Sequence, residues 1–114
     1  MATILVIEDE RTVLEITTEL LEILGHRCLA ARTGREALDI AAHTPDIDLV
    51  LLDRTLPDMD GMEVVKAANF TAPVILCSGD TTDVDDIRHH FAAILTKPYT
   101  VGELQAVLVQ HLPS

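Results

Sequence analysis

Apolar positions along this chain follow two rhythms. Short unbroken runs, Thr3 to Ile7, Asp48 to Asp53 and Pro73 to Cys77, read as buried strands, as in a parallel sheet, and Ala92 to Thr96 as a further strand. His26 to Ala31 adds a shorter strand. Between these runs the spacing becomes helical. Val13, Leu14, Ile16, Leu20, Leu21, Ile23 and Leu24 form one stripe, with Glu15, Glu19 and Glu22 on the wet side and Gly25 as a stop. Thr33-Gly34-Arg35-Glu36 matches a capping box opening a helix through Ala37, Leu38, Ile40 and Ala41 to about His43, closed by Pro45. Asp60-Gly61-Met62-Glu63 caps a short helix through Val64, Val65 and Ala68. Thr81 to His90 reads as a weaker helix, acidic early and carrying Arg88, His89 and His90 late, as the helix dipole favours. Thr100-Val101-Gly102-Glu103 caps a final helix with Leu104, Val107, Leu108 and His111.

Strands and helices alternating about five times over short connections predict an α/β fold, a doubly wound (βα)5 parallel sheet with right-handed crossovers. A flavodoxin-like strand order 2-1-3-4-5 puts the first and third strands side by side at a topological switch point. Glu8, Asp9 and Asp53 then converge in one crevice. The same order separates Cys28 from Cys77 by about three strand spacings of ~4.8 Å, so both read as reduced core thiols.

Composition narrows the choices. The 114 residues suit one domain, and 48% hydrophobic content with 3% aromatics implies an aliphatic core. A net charge of −11 repels nucleic acid and anionic lipid, so basic partners or cations fit better. No apolar run approaches the ~20 residues of a membrane span, and no secretion signal is visible, so a cytoplasmic location is expected.

The chemistry concentrates at the carboxyl ends of the strands. Asp53 could simply begin a turn, but clustered carboxylates repel one another unless one is protonated or a cation neutralises them. Oxygen ligands of this kind describe a Mg2+ site with room for a phosphate oxygen. Lys97 and Ser78, on the same edge, could hold phosphoryl oxygens, which leaves Asp53 as a nucleophile able to form an aspartyl phosphate. His89-His90, His26, His43 and His111 read as surface side chains, the adjacent pair pointing to different helix faces.

Ile4-Leu5-Val6-Ile7-Glu8-Asp9-Glu10, Leu51-Leu52-Asp53, Leu56-Pro57-Asp58-Met59-Asp60-Gly61, Ser78-Gly79 and Lys97-Pro98-Tyr99 together resemble a receiver domain of two-component response regulators over essentially all of the chain. The resemblance implies that Asp53 accepts a phosphoryl group from a histidine kinase or phosphotransfer protein. It implies direct Mg2+ ligation by Asp9, ligation by Glu8 largely through water, and a further ligand in the Thr55 carbonyl. Ser78 would grip the phosphoryl group, Lys97 would pair with it, and the Lys97-Pro98 bond would be cis. Asp80 would act on the hydrolytic water or cap a helix. Such a domain is a switch rather than an enzyme acting on a separate substrate, and signals by contact with a downstream protein as a monomer or weak dimer. The chain is expected to be a single receiver without an output domain: a stand-alone regulator, a relay intermediate or a receiver of a hybrid kinase. Met1 opening directly into the first strand favours a complete short chain.

One position departs from the pattern. Receivers usually carry Tyr or Phe three residues before the lysine, where Ile94 stands here. A β-branched side chain cannot repeat the aromatic swing that follows the Ser78 hydroxyl, so Tyr99 or the helix after Ser78 is the expected reporter, unless Tyr99 only packs beside Pro98. The competing classes are a flavin binder, which needs a Gly/Ser/Thr-rich phosphate loop after the first strand, a Mg2+-dependent aspartyl-phosphate phosphatase, which needs a second acid and a substrate-covering insertion, and a constitutive, non-switching binding module.

Overall fold

The computed structural model describes residues 2–79 and 87–112. Five parallel strands, β1 (Thr3–Ile7), β2 (Arg27–Ala31), β3 (Leu49–Asp53), β4 (Val74–Ser78) and β5 (Ala93–Thr96), form one sheet in the order β2-β1-β3-β4-β5. Their register sets Ile7 beside Leu52, Asp53 beside Cys77 and Ser78 beside Thr96, so the carboxyl ends finish almost level. This is the strand order expected from the sequence.

The continuous apolar runs serve two cores at once, because successive strand residues point to opposite faces. Ile4, Val6, Leu49, Leu51, Ile75, Cys77 and Leu95 face one side, where α1 (Arg11–Ile23) brings Leu14 and Leu21, and α4 (Val101–His111) brings Leu104 and Leu108. Leu5, Ile7, Val50, Leu52 and Val74 face the other, under Ala37 of α2 (Gly34–His43) and Val64 of α3 (Gly61–Ala68).

Helix ends follow local chemistry. At the close of α1, Gly25 adopts φ +93, and the amides of Gly25 and His26 return to the carbonyls of Glu22 and Leu21, which satisfies the last turn. Asn69 takes the left-handed position after α3. The Thr100/Glu103 capping box of α4 closes reciprocally. At α2, Thr33 Oγ1 accepts from the Glu36 amide, which is one half of the capping box expected there.

The helix expected over Thr81 to His90 lies largely outside the described residues. Its end, Arg88–His90, is a 3-10 turn, so the described residues contain four α-helices. The His89 and His90 rings meet with centroids 4.0 Å apart, contrary to the divergence expected, because exposed side chains are free to swing together from diverging Cβ directions. His26 is half-buried, with Nδ1 accepting from the Ala2 amide, rather than a surface residue. No helix among the described residues is long and apolar enough to cross a membrane.

Candidate functional site

Four strands deliver polar side chains to one edge of the sheet. Glu8 and Asp9 follow β1, Asp53 ends β3, Ser78 ends β4 and Lys97 follows β5. Carboxylate oxygens of Glu8, Asp9 and Asp53 lie within 4.8 Å of one another. Lys97 Nζ donates to Glu8 Oε1 and stands 3.6 Å from Asp53 Oδ1. The other Glu8 oxygen accepts from the Glu10 amide at 3.1 Å, and Asp53 Oδ1 accepts from the Thr55 amide at 3.3 Å.

These contacts are made where water is scarce, since the Glu8 and Asp53 side chains are only 7% and 13% exposed. Burial first, then the neighbouring Glu8 carboxyl, push Asp53 up to about 7, against the opposing pull of Lys97 and the Thr55 amide. Burial pulls Lys97 down, yet its bond to Glu8 and the nearby carboxylate charges outweigh that and hold it above the usual lysine range. One ammonium therefore pairs with two of the three carboxyl groups, Glu8 and Asp53. A set of hard oxygen donors with negative charge to spare fits Mg2+, which takes one or two carboxylates and completes its shell with other oxygens.

The β3–α3 loop that carries Thr55 is closed on itself. An antiparallel bridge joins Thr55 to Asp60, and the Gly61 amide donates to the Arg54 carbonyl at 2.8 Å. Gly61 fits closely here: a Cβ would come within 3.1 Å of both the Arg54 and Asp53 carbonyl oxygens, so the loop backbone would have to give by a few tenths of an ångström. Asp60 then caps α3 by accepting from the Met62 amide at 2.8 Å.

Ser78 is buried, and its carbonyl accepts from the Lys97 amide at 2.8 Å, tying β4 to the lysine. The Lys97-Pro98 bond is cis. Ile94 is half-buried in β5 opposite Leu76, on the face opposite to Leu95. Tyr99 packs on the Leu95 side, against the α1/α4 core, and its hydroxyl lies 3.2 Å from Oγ1 of the buried Thr17. Ile94, which replaces the usual aromatic, and Tyr99, one of the two expected reporters, thus sit on different layers; the other, the helix after Ser78, lies largely outside the described residues. Beside Tyr99 and Pro98, α1 residues Val13, Ile16 and Leu20 line a cleft of about 420 Å³.

Three features were missed in the sequence. Arg32 Nη2 donates to the Asp9 carbonyl at 3.2 Å, Asp58 accepts from the amides of Gly34 and Arg35 at 2.8 and 3.0 Å, and Thr17 is buried beneath Tyr99. Only Asp58 left a trace, as an acid in a turn already rich in acids. Cys28 and Cys77 are both free thiols, which burial pushes up to about 11 and about 12. Asp80 lies outside the described residues.

The comparisons with known proteins agree with this layout. The chain is 37% identical over 113 residues to the transcriptional regulatory protein KdpE of Mycobacterium tuberculosis, covering 95% of this chain and half the length of that one. It is 28% identical to sporulation initiation phosphotransferase F of Bacillus subtilis, covering 96% of this chain and 93% of that protein. Its structure matches the receiver domain of the hybrid histidine kinase CckA with a TM-score of 0.83 and 33% identity, over 98% of this chain and all of the other. Residues 4–109 match the family model of the response regulator receiver domain, and the chain belongs to that family.

Proposed function

We propose that Asp53 is the phosphoacceptor of a two-component switch. The observation that carries this reading is the meeting of Glu8, Asp9 and Asp53 with Lys97 at the ends of β1, β3 and β5. Asp9 and Asp53, with the Thr55 carbonyl, would hold Mg2+ directly, and Glu8 would hold it largely through water. The bound ion would neutralise charge on the phosphoryl oxygens. An Asp53 carboxylate oxygen attacks phosphorus of a phosphohistidine on a kinase or phosphotransfer protein. The P–N bond breaks as the P–O bond forms, and the imidazole leaves with the bonding pair and takes up a proton. Lys97 shifts from Glu8 toward the new phosphoryl group, and the Ser78 hydroxyl donates to it.

The product carries roughly −2 at a site already acidic, and the rearranged contacts bias the surrounding surface toward a downstream protein. A cytoplasmic setting fits such partners. Ile94 disfavours the usual aromatic route, whereas the bond from Tyr99 to Thr17 supports a route from Lys97 through Tyr99 to α1. Ile94, in the place of the usual aromatic, favours a second reading, a binding module that does not switch.

The test is amide NMR of the protein with Mg2+ and acetyl phosphate or beryllofluoride, beside Asp53→Asn. Shifts that need Mg2+ and Asp53, and that reach Tyr99 and Thr17, are expected. Shifts confined to the acidic pocket would favour the non-switching module, and none at all would sink the phosphoacceptor reading.

A further inference from the structure

The turn between β2 and α2 carries none of the site's ligands, yet it touches both loops that do. On one side, the Glu8 amide donates to the Ala31 carbonyl at 2.9 Å, and Arg32 reaches across to the Asp9 carbonyl at 3.2 Å. On the other, Asp58 of the β3–α3 loop accepts from Gly34 and Arg35 at 2.8 and 3.0 Å, one bond to each carboxylate oxygen. The contact is sealed by Met59, which lies so close to Gly34 that a Cβ there would come within 2.3 Å of Met59 Cγ.

Helix capping alone does not account for this. Thr33 already caps α2 from within its own turn by accepting from the Glu36 amide. A second acceptor, brought 24 residues along the chain to the same helix start, ties one element to another. Two hydrogen bonds donated by amides at the positive end of a helix to a charged carboxylate make that tie strong for an exposed group.

We propose that residues 32–35 form a strut that fixes the spacing between the Asp9 and Thr55 loops, with Arg32 and Asp58 as positioning residues for the Mg2+ site. This rests on the functional reading above. Mg2+ demands near-ideal octahedral geometry, so donors contributed by two separate loops bind it well only if the loops are held at the right separation. Groups that orient metal ligands without touching the metal typically change affinity by about 10–100-fold when removed.

The two residues carry opposite charges, which separates positioning from simple electrostatics. Removing Asp58 takes away a negative charge and would weaken cation binding on charge grounds alone. Removing Arg32 takes away a positive charge and, on those grounds, would strengthen it. A strut predicts weaker binding in both.

The experiment is a Mg2+ titration of the intact protein followed by amide NMR, with thermal unfolding of the metal-free protein measured in parallel, for Arg32→Ala, Asp58→Ala and Asp58→Asn. The Mg2+ dissociation constant should rise about 10-fold in Asp58→Ala, less in Arg32→Ala, and least in Asp58→Asn, which keeps one acceptor oxygen. Phosphorylation by acetyl phosphate should recover to the parental extent at saturating Mg2+. Unchanged or tighter Mg2+ binding by Arg32→Ala overturns the strut, even if Asp58→Ala lowers the unfolding midpoint, since a cap alone would do that. If Asp58→Ala fails to fold, Arg32→Ala decides the matter, because Arg32 is exposed and its substitution removes one surface bond. A parent protein that binds no Mg2+ overturns the functional reading and the strut together, an outcome distinct from parental binding that the variants leave untouched.

Discussion

Asp53 shows how one residue can be legible in kind and illegible in state. A carboxylate ending a buried strand marks it as a chemical group, but its elevation from an ordinary 3.8 to about 7 comes from burial and from Glu8, which is 45 residues away in sequence. The sign of the consequence is definite. A raised acid keeps its proton in the folded chain where the unfolded chain has lost it, so the contribution of Asp53 to metal-free stability falls as pH rises from about 4 to about 7. Mg2+ should offset that loss at neutral pH by favouring the ionised form. Thermal unfolding across this range should show the falling midpoint, and Asp53→Asn should flatten it and raise the midpoint at neutral pH. An unchanged slope in Asp53→Asn would remove the elevated carboxyl as its source. Tyr99 is the opposite case. Its neighbours in sequence predict contact with Pro98, but nothing local predicts the bond to Thr17, because 82 residues separate the pair.

At the scale of the element, the chain punctuates itself clearly. The Thr33, Asp60 and Thr100 caps and the Gly25 stop all stand where turn and capping chemistry puts them, because each works through hydrogen bonds within a few residues. The final helix, like α2 and α3, buries only two of its residues, Leu104 and Leu108, so its end chemistry counts. Thr100→Ala, which removes the side-chain half of the capping box, should cost about 1 kcal/mol, or about 4 °C in unfolding midpoint for a domain of this size. Mg2+ affinity should stay at the parental value, as Thr100 belongs to neither ligand-bearing loop. Asp58 escapes the local logic because the helix it serves is not its own. The same limit hides Gly34, which reads as part of a capping box and also leaves room for the Met59 side chain, which would have to shift if a Cβ were added.

Across the whole molecule, a net charge of −11 acts on 114 residues packed to a radius of gyration of 12.7 Å. Self-repulsion on that scale opposes compaction and is relieved by counterions. Raising monovalent salt to about 0.15 M, where the Debye length is near 8 Å, should raise the unfolding midpoint of the metal-free protein. Mg2+ should do so at far lower concentration, and Asp53→Asn should erase much of that difference between the ions. Equal potency of the two salts on the parent would mean that Mg2+ acts by screening alone. The sequence by itself determined the strands, most helix boundaries and the acidic residues that close the strands, because periodicity, caps and terminal carboxylates are written in neighbouring residues, whereas the order 2-1-3-4-5 was expected only from the flavodoxin-like fold class that their alternation suggests. Only the tertiary structure decided that Lys97 rests on Glu8, that Tyr99 and Ile94 occupy opposite layers, and that Arg32 and Asp58 tie the β2–α2 turn to the two ligand loops. Those contacts join residues from about 20 to 90 positions apart, and their partners are selected by how the strands stack beside one another, which no short stretch of chain encodes.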